Sequence, residues 1–358
     1  MPQFFGCDAH KRYSVFVAMD ETGKSTKPVR VEHQLQAYRD FLATLPEGSE
    51  IALESTGHWY WLVDTMEEAG HHPHLADTIE AKKRMGKTHK TDAIDARGLA
   101  LLLRNGTLPE VWIPPREIRD RRELLRTRMA LRNLRTFLKH RIHAAIDRYG
   151  LHTDQVSDLF GLKGREHLEQ CRQRLPPETS RMIQTQLEAL DQLDERIAGI
   201  EKRIREQIAV SPEVKRLMTL PGVGPTLGPV IAFEIGDIAR FPHAERLASY
   251  AGLVPRVISS GGHTRHGRIA KNVNLYLKWA FVEAAVCAVK LKGWRYAHVR
   301  CLFARLQPTK GYGRAIVAVA RHLAEAAFWV LTKDQDYRPP QPPPSLKTAA
   351  QAASSTNG

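Results

Sequence analysis

The sequence is poor in cysteine, and its cysteines lack the spacing of metal-binding pairs. Only four occur among 358 residues, they are scattered along the chain, and no CxxC pair is present. This argues against a zinc ribbon and fits a reducing compartment, so we expect a cytoplasmic protein. The sixteen histidines likewise show no HExxH-like spacing.

The sequence also lacks long apolar runs. No uninterrupted apolar stretch reaches the roughly 18 residues that a membrane span requires, and no signal peptide is evident. We therefore expect no membrane partner.

Acidic residues are scarce in the C-terminal part, which leaves the charge unevenly distributed. The formal net charge is +14 and the isoelectric point is about 9.7. Residues 1–112 carry a net charge of −3, residues 113–210 carry +5 and residues 211–358 carry +12. So basic a balance favours a polyanionic partner, with nucleic acid as the first expectation.

The hydrophobic pattern predicts three domains and a tail. Residues 1–112 alternate between strands and helices, which is typical of an α/β domain. The predicted strands cover 4–8, 13–20, 29–34, 50–56 and 72–77, and the predicted helices cover 36–45, 58–70 and 90–105. Residues 211–335 should form a mainly α-helical domain of short helices broken by glycine and proline. Residues 336–358 are rich in proline, serine and alanine and should be disordered.

Residues 113–210 predict a helical spacer between these two domains. Two long helices are expected, separated between Gly150 and Pro177 by a loop and a short helix. Apolar residues of the second long helix recur at alternating steps of three and four, the seam of a coiled coil: Leu187, Leu190, Leu193, Ile197, Ile200 and Ile204. The seam predicts either an intramolecular helical hairpin or an intermolecular coiled coil.

Four carboxylates of the first domain fall where strands end or helices begin. Asp8 ends the first predicted strand, Glu54 ends the buried strand EIALE, and Asp92 and Asp95 lie one turn apart on one helix. If they converge, their repulsion requires divalent cations, and two Mg²⁺ (or Mn²⁺) ions would clamp a phosphodiester. Taken singly, the same residues have ordinary alternatives as turn, cap or ion-pair residues.

Two glycine-containing motifs stand in the C-terminal domain. LPGVGP contains Gly222 and Gly224 and predicts a helix-hairpin-helix turn whose backbone amides approach phosphate, with a plain structural turn as the alternative. Further on, Ser259 and Ser260 precede a glycine pair and lie among cations: Gly261, Gly262, Arg256, Arg265, Arg268 and Lys271.

This serine segment predicts a nucleophile or a phosphate grip. The glycines remove side-chain bulk, so a DNA backbone could reach the hydroxyl, and the cations would stabilise a pentacovalent phosphorus. The alternative is a loop that only holds phosphate. Tyr250 and Tyr276 are rival nucleophiles that fit packing roles better.

These motifs together resemble the insertion-sequence-110 family of transposases, whose relatives include the Piv DNA invertase. The resemblance lies in CDAHK, ALEST and KTDAIDARGLA, followed by LPGVGP, YAGLVPR and SSGG with HTRHGRIAK. It spans about residues 1–335. It departs from the family at GRIAKNVN, where the family often reads GRISKRGN.

The resemblance implies a RuvC-like (ribonuclease-H-like) first domain with a DEDD tetrad, here Asp8, Glu54, Asp92 and Asp95. It implies a catalytic serine directly before the glycine pair, here Ser260, with Ser259 as the alternative. It further implies recombination of DNA by a dimer or tetramer with composite sites, guided in several members by a structured bridge RNA. The basic C-terminal domain and the arginine-rich first spacer helix are then expected to hold nucleic acid.

Two other functions remain open from the residues. A RuvC-type Mg²⁺-dependent endonuclease, such as a junction resolvase, would cut DNA without a covalent intermediate. A nucleic-acid-binding scaffold would have no chemistry, and four converging carboxylates would speak against it.

Overall fold

The computed structural model divides the chain into two compact units, Met1–Pro114 (unit 1) and Pro115–Gly358 (unit 2). The structure describes residues 3–86, 91–151, 156–208, 211–260, 263–270, 272–293 and 296–340. The predicted disordered tail therefore falls largely outside the described residues.

Unit 1 is built on a five-stranded sheet of mixed direction. Its strands are β1 (Phe4–Ala9), β2 (Tyr13–Met19), β3 (Val29–Glu32), β4 (Glu50–Glu54) and β5 (His72–Ala76). Their order is β3-β2-β1-β4-β5, with antiparallel pairing from β3 to β1 and parallel pairing from β1 to β5. All five predicted strands are confirmed. Their sequence signal was clear because strands buried on both faces carry continuous apolar runs.

Four helices cover the two faces of this sheet. They are α1 (Leu35–Leu42), α2 (Trp59–Glu68), α3 (Thr78–Met85) and α4 (Asp92–Arg104). On one face α1 and α2 enclose Phe16, Tyr38, Leu62 and Met66. On the other, α4 packs Leu99 and Leu103 against Ala52 and Ala76. Three helices confirm the predictions, whereas α3 was not predicted.

Unit 2 begins with a helical hairpin. Its long helices are α5 (Arg116–Asp147) and α7 (Pro177–Gln207), with the short α6 (Leu162–Arg172) between them. The predicted seam is used within the chain, since Leu187 and Leu190 are buried in one core with Ile142 and Ile146 of α5. An ion pair of 2.7 Å between Arg135 and Asp194 also joins the two helices. Leu187 and Leu190 of the seam therefore pack within the chain, in an intramolecular hairpin.

The remainder of unit 2 is a helical core that carries one β-hairpin. Its elements are α8 (Pro212–Leu217), α9 (Leu227–Ile235), a 3₁₀ turn (Ile238–Arg240), α10 (Ala244–Tyr250), β6 (Pro255–Ser260), β7 (His263–Ile269), α11 (Leu275–Ala288), α12 (Ala297–Lys310) and α13 (Tyr312–Thr332). The expectation of short helices is confirmed for α8, α9 and α10, which span 6, 9 and 7 residues, and wrong for α11, α12 and α13, which span 14, 14 and 21. The hairpin was not predicted either.

Helix α13 is the central packing element of this core. By length and mean hydropathy, which is 1.4 over 18 residues, it could cross a membrane. Its apolar residues have another use, however, since Ile316, Val319, Leu323 and Phe328 are buried in the core of unit 2. The apolar character of α13 is thus explained by its packing against α10, α11 and α12.

Candidate metal centre and nucleic-acid-binding segments

A close helix–strand contact brings α4 to the site. Gly6 of β1 has no side chain, and a Cβ atom there would lie 1.8 Å from the carbonyl oxygen of Ala96. Ala96 is itself fully buried. Thr91 begins the helix by accepting a hydrogen bond from the Ile94 amide at 3.3 Å. Small residues on both elements therefore set the first turn of α4 beside the end of β1.

The strand ends supply the other two acids. Cys7 of β1 pairs with Leu53 of β4 in parallel register, so the following residues, Asp8 and Glu54, lie side by side near the carboxyl ends of these two strands. Both side chains are largely buried, with exposed fractions of 16% and 9%. The sequence prediction that strand ends and one helical turn bring these four acids to one region therefore agrees with the fold.

His10 and Tyr13 belong to the same cluster, and the sequence reasoning missed both. The Nε2 atom of His10 lies 3.1 Å from Asp8 Oδ2 and 3.3 Å from Asp92 Oδ2. Tyr13 donates its hydroxyl to Asp92 Oδ2 at 3.0 Å and stacks on the His10 ring. The Arg30 guanidinium covers the Tyr13 ring at 3.6 Å. The sequence carries no periodic signal for either residue, because His10 lies in the turn after β1 and Tyr13 begins the next strand.

The electrostatics of the site reflect crowded negative charge. Burial raises the pKa of Asp8 above its ordinary value; His10 opposes the rise, and Asp95 and Asp92 add to it. Burial likewise raises the pKa of Glu54; the opposing cation is Lys82, whose Nζ lies 3.6 Å from Oε2, while Asp8 and Asp95 add to the rise. The four carboxylates therefore act on one another, and nearby cations only partly compensate them.

The donor set fits a divalent cation. One ligand atom each from Asp8, His10 and Asp92 lie within 4.8 Å of one another. Carboxylate oxygens are the ligands that Mg²⁺ and Mn²⁺ prefer, and an imidazole nitrogen is compatible with Mn²⁺. The buried carboxylates gain most from such an ion, because it would offset the burial and the repulsion that together raise their pKa values.

The predicted serine segment forms the β6–β7 hairpin. Its register pairs Ser259 with Thr264 and Ser260 with His263, which puts Ser260 at the last position of β6. Arg256 and Arg265 are exposed. Gly261, Gly262 and Lys271 lie outside the described residues, as do the side chains of Ser260 and Arg268.

The LPGVGP motif joins α8 to α9 as a tight turn. Gly222 has a φ of +76°, and a Cβ atom there would lie 2.1 Å from the Ala284 carbonyl oxygen, so this glycine permits contact with α11. Gly224 faces open space. The geometry gives Gly222 a packing role and leaves Gly224 accessible. The rival nucleophiles are in contact with their neighbours: Tyr250 accepts a hydrogen bond from Asn274, and Tyr276 lies under Arg126.

Two arginines of α5 are committed to the protein interior. Arg126 donates two hydrogen bonds to the carboxylate of Glu234, at 2.8 and 2.9 Å. Arg122 donates to the carbonyl oxygens of Phe233 and Glu234, at 2.7 and 3.0 Å. The expectation that the arginine-rich first spacer helix holds nucleic acid is wrong for these two residues, because their guanidinium groups bind α9.

Two family models match the chain. A model described as transposase, of the DEDD type of IS110 elements, matches residues 5–151. A model described as the transposase IS116/IS110/IS902 family matches residues 214–300. The first covers the acidic cluster and α5, and the second covers the β6–β7 hairpin and α11.

Curated relatives match over most of their own length. A probable family 20 transposase of Pseudomonas aeruginosa is 26% identical over 84% of this chain and 89% of the relative. The transposase for insertion sequence element IS1111A of Coxiella burnetii is 26% identical over 94% of this chain and 91% of the relative. The transposase for insertion sequence element IS1328 of Yersinia enterocolitica is 25% identical over 82% of this chain and 86% of the relative. With both family models and these full-length relatives in agreement, the chain belongs to the IS110 family of transposases.

Proposed function

We propose that this transposase cuts and rejoins DNA through a phosphoserine formed on Ser260, assisted by divalent cations at the Asp8–Glu54–Asp92–Asp95 cluster. The observation that carries the proposal is the convergence of these acids: His10 lies 3.1 Å from Asp8 and 3.3 Å from Asp92, and Asp95 is close enough to raise the pKa values of both Asp8 and Glu54. Perturbed pKa values cluster at functional sites, so neighbouring acids of this kind mark a candidate site.

The topology of unit 1 supports a RuvC-like fold. In the ribonuclease-H-like fold the first and fourth strands are neighbours and a late helix packs beside their ends. Here β1 pairs with β4, and α4 packs on β1. This arrangement is what a DEDD site of that fold requires, which is why we assign the metal-binding role to this unit.

Four carboxylates and one imidazole would hold the cations. Asp8 and Asp92 share His10 as a neighbour, and Glu54 and Asp95 complete the cluster. Divalent cations held there would supply positive charge for the phosphate oxygens and would lower the pKa of a coordinated hydroxyl or water. Tyr13 orients Asp92 by its hydrogen bond, and Arg30 holds the Tyr13 ring in place.

Ser260 is assigned the nucleophilic role. Its hydroxyl oxygen attacks the phosphorus, the bond to the leaving DNA oxygen breaks, and the serine proton goes to a base or to that oxygen. In the second step a DNA hydroxyl attacks the phosphoserine, and the serine oxygen leaves with a proton. The number of phosphodiester bonds is conserved, so no high-energy cofactor is needed. Arg256 and Arg265, both exposed on the hairpin, suit the binding of phosphate.

The partners follow from the family and the charge. A transposase acts on DNA, and the basic balance of residues 211–358 suits a polyanion. We further propose a structured guide RNA and a homo-oligomer of two to four chains, as the family resemblance implies.

The test is covalent capture on a suicide DNA substrate made from the flanks of the gene, together with RNA transcribed from them. Wild type with Mg²⁺ should form a protein–DNA adduct that survives denaturing electrophoresis. Ser260→Ala should reduce the adduct by at least about 10³-fold, because no other hydroxyl takes over. Ser259→Ala is the matched control and should retain it.

Two outcomes would contradict the proposal. DNA cleavage by wild type without any adduct would identify the nuclease alternative. Adduct formation by Ser260→Ala would reject the nucleophile assignment. Asp92→Asn separates the metal-binding role from the serine, and it should abolish the adduct while leaving DNA binding intact.

A further inference from the structure

A small cavity between α5 and the start of α11 has no role in the proposed chemistry. Its volume is about 320 Å³, near the lower end of the range for small-molecule pockets, about 300–1,000 Å³. Six residues line it: Met129, Arg132, Asn133, Leu275, Tyr276 and Trp279. The space suits one planar ring system rather than a long ligand.

The lining combines aromatic faces with a cation and an amide. The Arg132 guanidinium lies 5.4 Å from the centre of the Trp279 ring. A second arginine contacts Tyr276. The Arg126 guanidinium lies 4.6 Å from the Tyr276 ring centre, and Arg126 is itself fixed by its hydrogen bonds to Glu234. Trp279 packs against the core of unit 2. Tyr276 and Trp279 are therefore fixed by contacts on the side away from the cavity, and this lowers the conformational-entropy cost of binding a ring against them.

The polar groups at the cavity are not used internally. Among the residues that the structure describes, the side chains of Arg132 and Asn133 have no ion-pair or hydrogen-bond partner. Leu275, at the rim, is 65% exposed. In contrast, Arg122, Arg126, Arg128 and Arg135 of the same helix are all bound to protein groups. A guanidinium and an amide without ion-pair or hydrogen-bond partners in the described part of the chain, beside two aromatic rings, suit the recognition of a planar ligand.

We propose that this cavity takes an unpaired nucleobase of a DNA or RNA strand bound by unit 2. Bases stack on aromatic side chains, arginine can cover the second face of a base or bind its phosphate, and an asparagine amide can pair with a base edge. A base between two planes needs about 6.8 Å, two stacking steps of about 3.4 Å each. The solvent-accessible Arg132 side chain would move outward by somewhat over 1 Å to admit it.

The location supports a nucleic-acid ligand over other planar molecules. The cavity lies at the first turn of α11, the helix that follows the β6–β7 hairpin directly in the chain. Residues 211–358 carry a net charge of +12, so a strand would be held by its phosphates while one base enters the cavity. The inference rests on the proposed action on nucleic acid, but its test measures binding and needs no catalysis.

The test compares oligonucleotides with and without bases. Fluorescence anisotropy would measure binding of the full chain to single-stranded DNA, to single-stranded RNA, and to abasic DNA of the same length. Trp279→Leu should weaken binding to the base-containing strands roughly 5- to 150-fold, the range for loss of one stacked base. Affinity for the abasic strand should stay unchanged. The DNA and RNA arms show which strand supplies the base.

Two further variants keep the test informative. Trp279→Phe retains an aromatic face and should preserve most of the affinity. Trp329→Leu is the matched control, because Trp329 on α13 is also exposed, at 52%, and also has a cation, Lys333, beside it. The acids Glu325 and Asp336 lie nearby and disfavour a nucleic-acid strand there. This variant should leave the affinity for every probe unchanged. Base-containing strands should also quench wild-type tryptophan fluorescence, and Trp279→Phe should lose that component.

The proposal fails if Trp279→Leu binds all probes like wild type, or if it loses base-containing and abasic strands equally. Absence of quenching that depends on Trp279 would also overturn it. None of these outcomes bears on the phosphoserine, which the covalent capture experiment tests separately.

Discussion

The acidic residue Glu234 of unit 2 and the acidic cluster of unit 1 differ in how far neighbouring cations neutralise them. In unit 2 Glu234 is 1% exposed, and it is matched by Arg126, by Arg122 at 3.7 Å and by the Asn274 amide at 2.8 Å. In unit 1, within the part of the chain that the structure describes, the cations near the acids are Lys82, Arg30 and an imidazole that is charged only when protonated. Glu234 is therefore paired within the protein, whereas the cations described around the unit 1 acids leave the pKa values of Asp8 and Glu54 raised.

This difference separates a structural ion pair from a candidate active site. Partners saturate the buried charge of Glu234, so removing one member of the cluster would leave an uncompensated buried charge. An unsaturated group of carboxylates costs stability, and proteins keep such groups where function requires them. The same comparison predicts opposite effects of neutralising an acid in the two clusters.

The largest expected effect is on Glu234. Glu234→Gln removes the negative charge that faces Arg122 and Arg126. Burial already lowers the pKa of Arg122 below its ordinary value, so the loss of its counter-charge is costly there. Breaking a buried pair in this way costs about 3–5 kcal/mol. Urea denaturation followed by circular dichroism would show the loss as a lower midpoint for unit 2.

The control for that variant is Glu201→Gln. Glu201 pairs with Arg128 between the two long helices, but its side chain is partly exposed. Its loss should cost less than about 1 kcal/mol. If Glu234→Gln is no more costly than Glu201→Gln, the Glu234 cluster does not stabilise the core as described.

The second effect is smaller and has the opposite sign. In metal-free protein Asp8→Asn should stabilise unit 1 at neutral pH by about 0.5–2 kcal/mol, because it removes a buried charge from a repulsive group. The pKa values of Asp8 and Glu54 are raised in the folded state. Their contribution to stability is therefore full below the unfolded-state pKa and is lost as pH rises through the folded-state pKa.

The measurement is thermal unfolding in a chelating buffer across the acidic to neutral range. Wild type should lose stability in that window as pH rises, and Asp8→Asn should lose less. Equal profiles for the two proteins would show that Asp8 carries no unfavourable charge in the metal-free fold.

Much of unit 1 was predictable because local patterns and tertiary structure agree there. Apolar runs ended by Asp8 and Glu54 identified two strands and two candidate ligands. Helix α3 was missed because its sequence is mostly polar, although Asp77 caps it at 2.9 and 2.8 Å and Gly86 ends it with a φ of 59°. Those two residues were the usable signals.

The less predictable features depend on contacts between distant residues or on weak patterns. The β6–β7 hairpin has a polar second strand, HTRHGRI, without clear alternation. The Arg126–Glu234 pair joins residues 108 positions apart, so α5 looked like a free basic surface. His10 was missed because one histidine carries no signal until the fold brings Asp92 to within 3.3 Å of it.

The central claim is that the acidic cluster of unit 1 binds a divalent cation. Isothermal titration of the full chain with Mn²⁺ at neutral pH tests it directly, with Asp8→Asn as the variant and Glu68→Gln, an exposed partner of Arg39, as the control. We predict saturable binding by wild type and by Glu68→Gln, and affinity at least about 10-fold lower in Asp8→Asn. Identical binding by all three proteins, or no binding by wild type, would contradict the account.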